Sequence, residues 1–410
     1  MVAGGRSSPR GPEADALDHL LSESRLDCLH REQAAFDAVS APETRDLVLF
    51  GAGRLGRRTL HALRRIGRSP VAFSDNARGL WGTTIDGVQV MSPVKAAAQF
   101  GKSATFVVTI WRAGGPHRYE HSRQQLSELG CRYVTSIAPL AWKYADAMLP
   151  HYCLDLPHGV LDQAPDVRRA FELLSDDRSR REFVAQLRFR LLADFDGLPH
   201  PDPEPQYLVS GLIAPNDEEV FVDAGAFDGD TLRSVLAAGR GFKEYVALEP
   251  DAANYASLSR YVEGLAEELK QRVSLLPLAA YSTRIRMRIE ESGSASAMLV
   301  PTNDAPRLDD VECVPLDEIC ANRQLSFLKL DIEGAEPEAI EGARHVIARE
   351  RPVIAMCVYH QQDHLWQLPL LVQSMADGYA YYLRPYNEEG WDLVCYAVPK
   401  ERALMETGAQ

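Results

Sequence analysis

The chain predicts an α/β protein of two Rossmann-like domains joined by a helical linker. Three observations carry this. Glycine-rich turns follow apolar runs at two places, "LVLFGAGRLG" from Leu47 and "VFVDAGAFDG" from Val220. After each turn, helix-length patterns alternate with short apolar runs, the pattern of parallel sheets with crossover helices. The last two apolar runs, "YAYYLRPY" and "WDLVCYAVP", are separated only by "NEEG". So short a link permits a hairpin but no parallel crossover, so the second sheet should end in an antiparallel pair.

At 410 residues the chain exceeds one ordinary core. An apolar content of 46% with 25% charged residues is that of a soluble globular protein. The formal net charge of -14 argues against nucleic acid or a membrane surface as partner, since both are polyanionic. No apolar run reaches the roughly 18 residues that a membrane span needs. The opening "MVAGGRSSPRGPEAD" lacks an apolar core segment, so no secretory signal and a cytoplasmic location are expected. The 7 cysteines are scattered and form no CxxC pair. Free thiols are expected, rather than a disulfide framework or a zinc knuckle.

Organisation follows in order. Residues 1–40 read as a polar tail and a helix. Residues 41–148 read as the first Rossmann-like domain, with strands at "LVLF", "PVAFSDN" and "ATFVVTIW". Residues 149–205 are charged and helical, a linker or lid, stopped by Pro201, Pro203 and Pro205. Residues 206–401 form the second domain. Its strands are expected at "VFVDAG", "YVALEP", "VSLLPLAA", "LSFLKLDI" and "PVIAMCVY", before the closing hairpin. A parallel sheet with that ending is typical of methyltransferases that use S-adenosylmethionine.

The two glycine turns ask for different ligands. In "GAGRLG", Gly51, Gly53 and Gly56 match G-x-G-x-x-G, and Asp75 ends the next strand, where a ribose-binding acid would sit. A nucleotide or nucleotide sugar could bind there, or the turn could be a scaffold without a ligand. The second turn lacks a third glycine and carries Asp223 and Asp228, which a diphosphate tolerates poorly and a cation prefers. S-adenosylmethionine has a sulfonium, an ammonium and no phosphate. The expected contacts at this turn are Asp223, Gly225, Ala226, Phe227, Asp228, Gly229 and Thr231. Glu249, with Pro250 and Asp251, ends the second strand, where a carboxylate can accept both ribose hydroxyls. Ala280 ends the third strand, beside the expected adenine.

These stretches, with "LKLDIEGAEPEAIEGA" and "PVIAMCVYHQQDHLWQLP", resemble the FkbM-type methyltransferases. The resemblance runs from about Ser175 to Pro399. It implies methyl transfer from S-adenosylmethionine, usually to a hydroxyl oxygen of a natural product or a glycan sugar. The front stretch "VLFGAG…FSDN…WGTTIDGVQVMSP" is similar to the small nucleotide-binding domain ahead of some sugar-modifying enzymes. Pro385 departs from the polar or basic residue expected in "YYLRPY".

Such a reaction needs an aligned acceptor and a proton acceptor. The fourth strand end offers Asp331, Glu333 and Glu336; the fifth offers Tyr359, His360, Asp363 and His364. His360 is expected on the ligand-facing rim as general base. Asp331 is expected as base, acceptor-orienting group or donor contact. Asp331, His360 and Asp363 could ligate a divalent metal, but their spacing is not diagnostic and none is predicted. The expected partner is a small-molecule or glycan acceptor, and the oligomeric state is left open, a dimer among the options. Two other functions compete. A nicotinamide- or nucleotide-sugar-dependent oxidoreductase or epimerase would use "GAGRLG", but "YEHSRQ" after Tyr119 lacks the lysine of a Tyr-x-x-x-Lys pair. A non-enzymatic nucleotide sensor would require both sites to be degenerate.

Overall fold

The computed structural model describes residues 11–209, 211–290, 298–300, 307 and 310–404. Strands β1 (Leu47–Phe50), β2 (Ala72–Ser74), β3 (Thr84–Ile85), β4 (Val88–Met91), β5 (Thr105–Val108) and β6 (Tyr133–Ser136) form a sheet of order β3-β4-β2-β1-β5-β6. All its pairings are parallel except the β3–β4 hairpin. The "LVLF" and "TFVV" runs are fully buried, as central parallel strands covered on both faces should be.

The second sheet uses β7 (Val220–Ala224), β8 (Glu244–Leu248), β9 (Val273–Leu276), β14 (Phe327–Leu330), β15 (Val353–Cys357), β16 (Tyr379–Pro385) and β17 (Leu393–Pro399). Its order is β16-β17-β15-β14-β7-β8-β9, with β17 antiparallel to both neighbours. The expected hairpin is present, and its second strand is inserted next to β15. The expected third strand is interrupted. β10 (Leu278–Ala280) leaves at Pro277 to join β11 (Ile285–Glu290), β12 (Met298–Val300) and β13 (Val311–Val314) in a small separate sheet. Proline lacks the amide that would continue the ladder, which accounts for the break.

The strand order reverses between β7 and β14, so their carboxyl ends flank a crevice, the usual ligand position of open α/β sheets. The charged helix Asp177–Leu192 packs against the second domain. Phe183, Leu187 and Phe189 are buried on it, and fully buried Arg190 donates to the carbonyls of Val358 and Gln362, 3.4 and 3.2 Å away. The helix therefore fixes the chain leaving β15. Arg384 of β16 supplies the basic residue beside Pro385, and its ion pair with Asp176 at 2.6 Å is buried.

The two domains meet on aromatic rings. Trp111, after β5, lies 5.3 Å from Trp391, 5.7 Å from Phe189 and 5.9 Å from Phe195. Its indole N–H donates to the Glu389 carbonyl at 3.1 Å, and Arg118 pairs with Glu388 at 2.6 Å.

Candidate active site

The β7 turn is built around Gly225, whose φ is +82°. A Cβ there would stand 1.9 Å from the carbonyl oxygen of Asp331, so only glycine lets β7 and β14 approach this closely. Phe227 follows at φ +47°, and its amide donates to Glu249 Oε2 at 2.8 Å. The Asp251 amide donates to Glu249 Oε1 at 2.9 Å. Burial pushes the Glu249 carboxyl up to about 7, against the two amides that favour the carboxylate.

A cavity of about 270 Å³ opens over these strand ends. Of the expected donor contacts, Gly225, Phe227, Glu249, Pro250, Ala280 and Asp331 line it. The others do not, each for a visible reason. Asp223 is fully buried: it pairs with Lys329 Nζ at 2.9 Å and accepts from the Tyr245 hydroxyl at 2.6 Å. It is directly in register with Lys329, so its charge is spent across the strands and not on a ligand. Ala226 is buried under the turn, and Gly229 and Thr231 begin the helix Asp230–Ala237 behind it. Asp228 pairs with Arg233. Asp251 caps the helix Ala252–Glu263 by accepting from the Ala253 and Asn254 amides. The acid that reaches the cavity from this turn is Asp230.

Sequence reasoning missed Lys329, Tyr207, Tyr152, Trp391 and Asp392, all of which line the cavity. Lys329 carried a signal: a lysine within an apolar strand faces an acid at the matching place in β7. Burial would lower its pKa, but Asp223, Asp331 and Asp230 outweigh burial and raise it, so it stays an ammonium. The remainder gave no local signal. Tyr152 arrives from the segment between the domains, and its ring lies 4.6 Å from Trp391.

A second group of acids sits on the loop that follows β14. Tyr207 donates to Asp331 Oδ2 at 2.9 Å. Glu333 holds φ +53° and Gly334 φ +105°, so the chain reverses sharply. Buried Glu336 secures that reversal by accepting from the Ile332 and Gly334 amides at 2.9 and 3.1 Å. His360 does not lie on the rim. Its side chain is 1% exposed, behind Asp331 and Glu333. Its Nδ1 meets Glu336 at 2.9 Å, and its Nε2 stands 3.5 Å from Asp331 Oδ1 and 3.6 Å from Glu333 Oε1. Burial would lower the His360 pKa, but Glu336 and Glu333 raise it well above the ordinary value. His360 is not among the residues that line the cavity, so its imidazole does not reach an acceptor oxygen there, and this corrects the expected base. Asp363 stays outside the group, at the start of the helix His364–Met375; Glu333 joins it instead.

In the front domain, Gly56 is held close to β1, since a Cβ there would lie 2.0 Å from the Gly51 carbonyl. At Gly53 a Cβ would meet nothing within 4 Å. Asp75 closes the turn, accepting from the Ala52 and Ala77 amides, each at 2.7 Å.

A methyltransferase sheet with its crevice over β7 and β14 defines the class. The model of the methyltransferase FkbM domain matches residues 223–381. The structure is similar to that of the methyltransferase FkbM from Methylobacillus flagellatus KT, with a TM-score of 0.75 and 22% identity over 94% of this chain and 99% of that one. At that identity the likeness shows the shared fold. The UDP-D-quinovosamine 4-dehydrogenase from Vibrio fischeri matches over 23% of this chain and 77% of its own, at 21% identity and a TM-score of 0.20, too low to carry an argument. No curated protein matches the chain. The comparisons carry no support for a nucleotide at the Gly51 turn. No helix of the described residues is long and apolar enough to cross a membrane.

Proposed function

We propose that the second domain binds S-adenosylmethionine and methylates a hydroxyl oxygen of a sugar, glycan or related small molecule. The observation that carries this is continuity: one cavity runs from Gly225, Glu249 and Ala280 to Asp331 and Glu333. The donor end fits the cofactor. Each Glu249 oxygen accepts one amide and keeps a free lone pair for a ribose hydroxyl. Leu278, Ala279 and Ala280 offer an apolar wall for adenine, and Asp230 a carboxylate for the ammonium. When bound, the cofactor supplies an electrophilic methyl group.

The acceptor end supports a hydroxylated ring. Tyr152, Tyr359 and Trp391 present aromatic surface, while Asp331, Glu333 and Asp392 present oxygen acceptors. A sugar has matching parts, C–H faces for rings and hydroxyls for carboxylates. Asp331 lines the cavity and is the group of this set that can receive the hydroxyl proton while it orients the oxygen. Ala113 and Tyr152 line the cavity from outside the methyltransferase sheet.

Thermal shift and calorimetry test the reading. S-adenosylmethionine and its demethylated product should both stabilise the protein, and nicotinamide dinucleotides should not. Glu249→Ala should weaken donor binding by roughly tenfold or more, the scale of one lost charge-assisted contact. Unchanged donor affinity in that variant would overturn the donor site. A panel of sugars and glycosides, scored by release of demethylated product, tests the acceptor class.

A further inference from the structure

We infer that Asp331, Glu333 and His360 form a divalent-cation site at the acceptor end of the cavity. The inference rests on the proposed methyl transfer only for what the cation would do, and not for the site itself. Ligand atoms of the three residues lie within 4.8 Å of one another. Two carboxylates alone would be a common surface feature. The third member makes this a built site. His360 Nε2 is buried, has no hydrogen-bond partner and points between the two acids. Its 3.5 and 3.6 Å separations from Asp331 Oδ1 and Glu333 Oε1 are too long for good hydrogen bonds. They suit three ligands each about 2.0–2.2 Å from one ion.

The surroundings hold each ligand atom in place. Glu336 fixes His360 through Nδ1 at 2.9 Å, leaving Nε2 for the ion, the carboxylate–histidine support common behind metal-bound imidazoles. Tyr207 takes Asp331 Oδ2 and so leaves Oδ1 turned toward His360. Glu333 reaches the cluster from a left-handed backbone conformation, which a non-glycine residue adopts only where the surroundings enforce it. Its Oε2 is buried and also without a hydrogen-bond partner. A set of two oxygens and one imidazole nitrogen favours a cation such as Mn²⁺, and an all-oxygen set would be needed to favour Ca²⁺. Three protein ligands leave coordination positions open. Asp331 and Glu333 also line the cavity, so those positions face the acceptor. With the cation bound, Asp331 is a ligand and no longer the proton acceptor; a hydroxyl oxygen bound there would lose its proton to water instead, more readily because the cation stabilises the alkoxide.

The probe is Mn²⁺ added to the full chain after treatment with a chelator. Electron paramagnetic resonance reads the loss of the free-ion signal and calorimetry reads the stoichiometry. One Mn²⁺ per chain is expected. Asp331→Asn and Glu333→Gln, the milder changes, should each weaken it at least tenfold without lowering the melting temperature of the metal-free protein. Glu336→Gln should weaken it less, because it acts through His360. Wild-type protein that binds no Mn²⁺ at millimolar concentration overturns the site, as do variants that bind it like wild type. Mn²⁺ binding without methyl transfer to any acceptor leaves the site standing and counts against the functional reading alone. Undiminished methyl transfer in the chelator with no bound Mn²⁺ does the reverse.

Discussion

Glu249 shows how one residue sets a measurable property. Its carboxyl is buried, and burial raises its pKa to about 7. The sign follows from that direction. The proton is bound more tightly in the folded chain than in the unfolded one, so the resulting stabilisation is full below the unfolded pKa and is lost as pH rises through about 7. In the proposed donor site, ribose binding runs the other way, because only the carboxylate accepts from both hydroxyls. Affinity for S-adenosylmethionine should therefore fall as pH drops below 7, by up to about tenfold per unit. In Glu249→Gln the profile should be flatter, since the amide does not titrate. Calorimetry at several pH values for both proteins checks this; parallel profiles would remove Glu249 as the source. The residue scale also separates two acids that look alike in sequence. Asp223 and Glu249 both end apolar strands, yet one faces a lysine across the sheet and the other faces the cavity.

At the scale of elements, β7 and β14 are joined by more than their ladder. Asp223 and Lys329 are in register, at 0% and 2% side-chain exposure, and Lys329 also donates to the Gly225 carbonyl. Phe221 stacks on Tyr245 and Phe327, with ring centres 4.9 and 4.5 Å away, and closes the other end of the same strands. Removing one partner of a buried pair strands a charge, at a cost of about 3–5 kcal/mol. Lys329→Met should thus destabilise the domain by that amount in urea titration. Lys329→Met combined with Asp223→Asn should cost clearly less than the sum of the single changes. Additive losses would mean that the pair is not coupled. Because Lys329 spans the turn below the cavity, the same variant should also lose donor affinity.

For the whole molecule, the aromatic contact decides whether two domains behave as one. Trp111 is 5% exposed among Phe189, Phe195 and Trp391, and Trp391 itself lines the cavity. An interface so dry couples the unfolding of both parts. Trp111→Ala should cost about 3–5 kcal/mol and split a single calorimetric transition into two. It should also weaken acceptor binding more than donor binding, since Trp391 lines the cavity at its proposed acceptor end. A single unsplit transition in the variant would show that the domains are held together elsewhere.

The sequence by itself determined the local pieces: two glycine turns after buried strands, the alternation that makes each sheet parallel, the hairpin at the end, and the acids Glu249 and Asp331. These depend on residues close together in the chain, where periodicity and turn chemistry speak directly. The resemblance in "FVDAGAFDG" and "LKLDIEGAE" added the chemistry to that frame. Only the tertiary structure decided which acids face a ligand, because a strand residue's neighbours come from other strands and its own spacing does not name them. That is why Asp223 read as a ligand contact and proved to be Lys329's partner. It is also why His360 read as an exposed base. Its position after β15 is visible in the sequence, but Glu336 and the left-handed turn at Glu333 that enclose it lie on another strand's loop. Tyr152 and Ala113 were beyond reach for the same reason: they enter the cavity from outside the second sheet, through packing that no local pattern encodes.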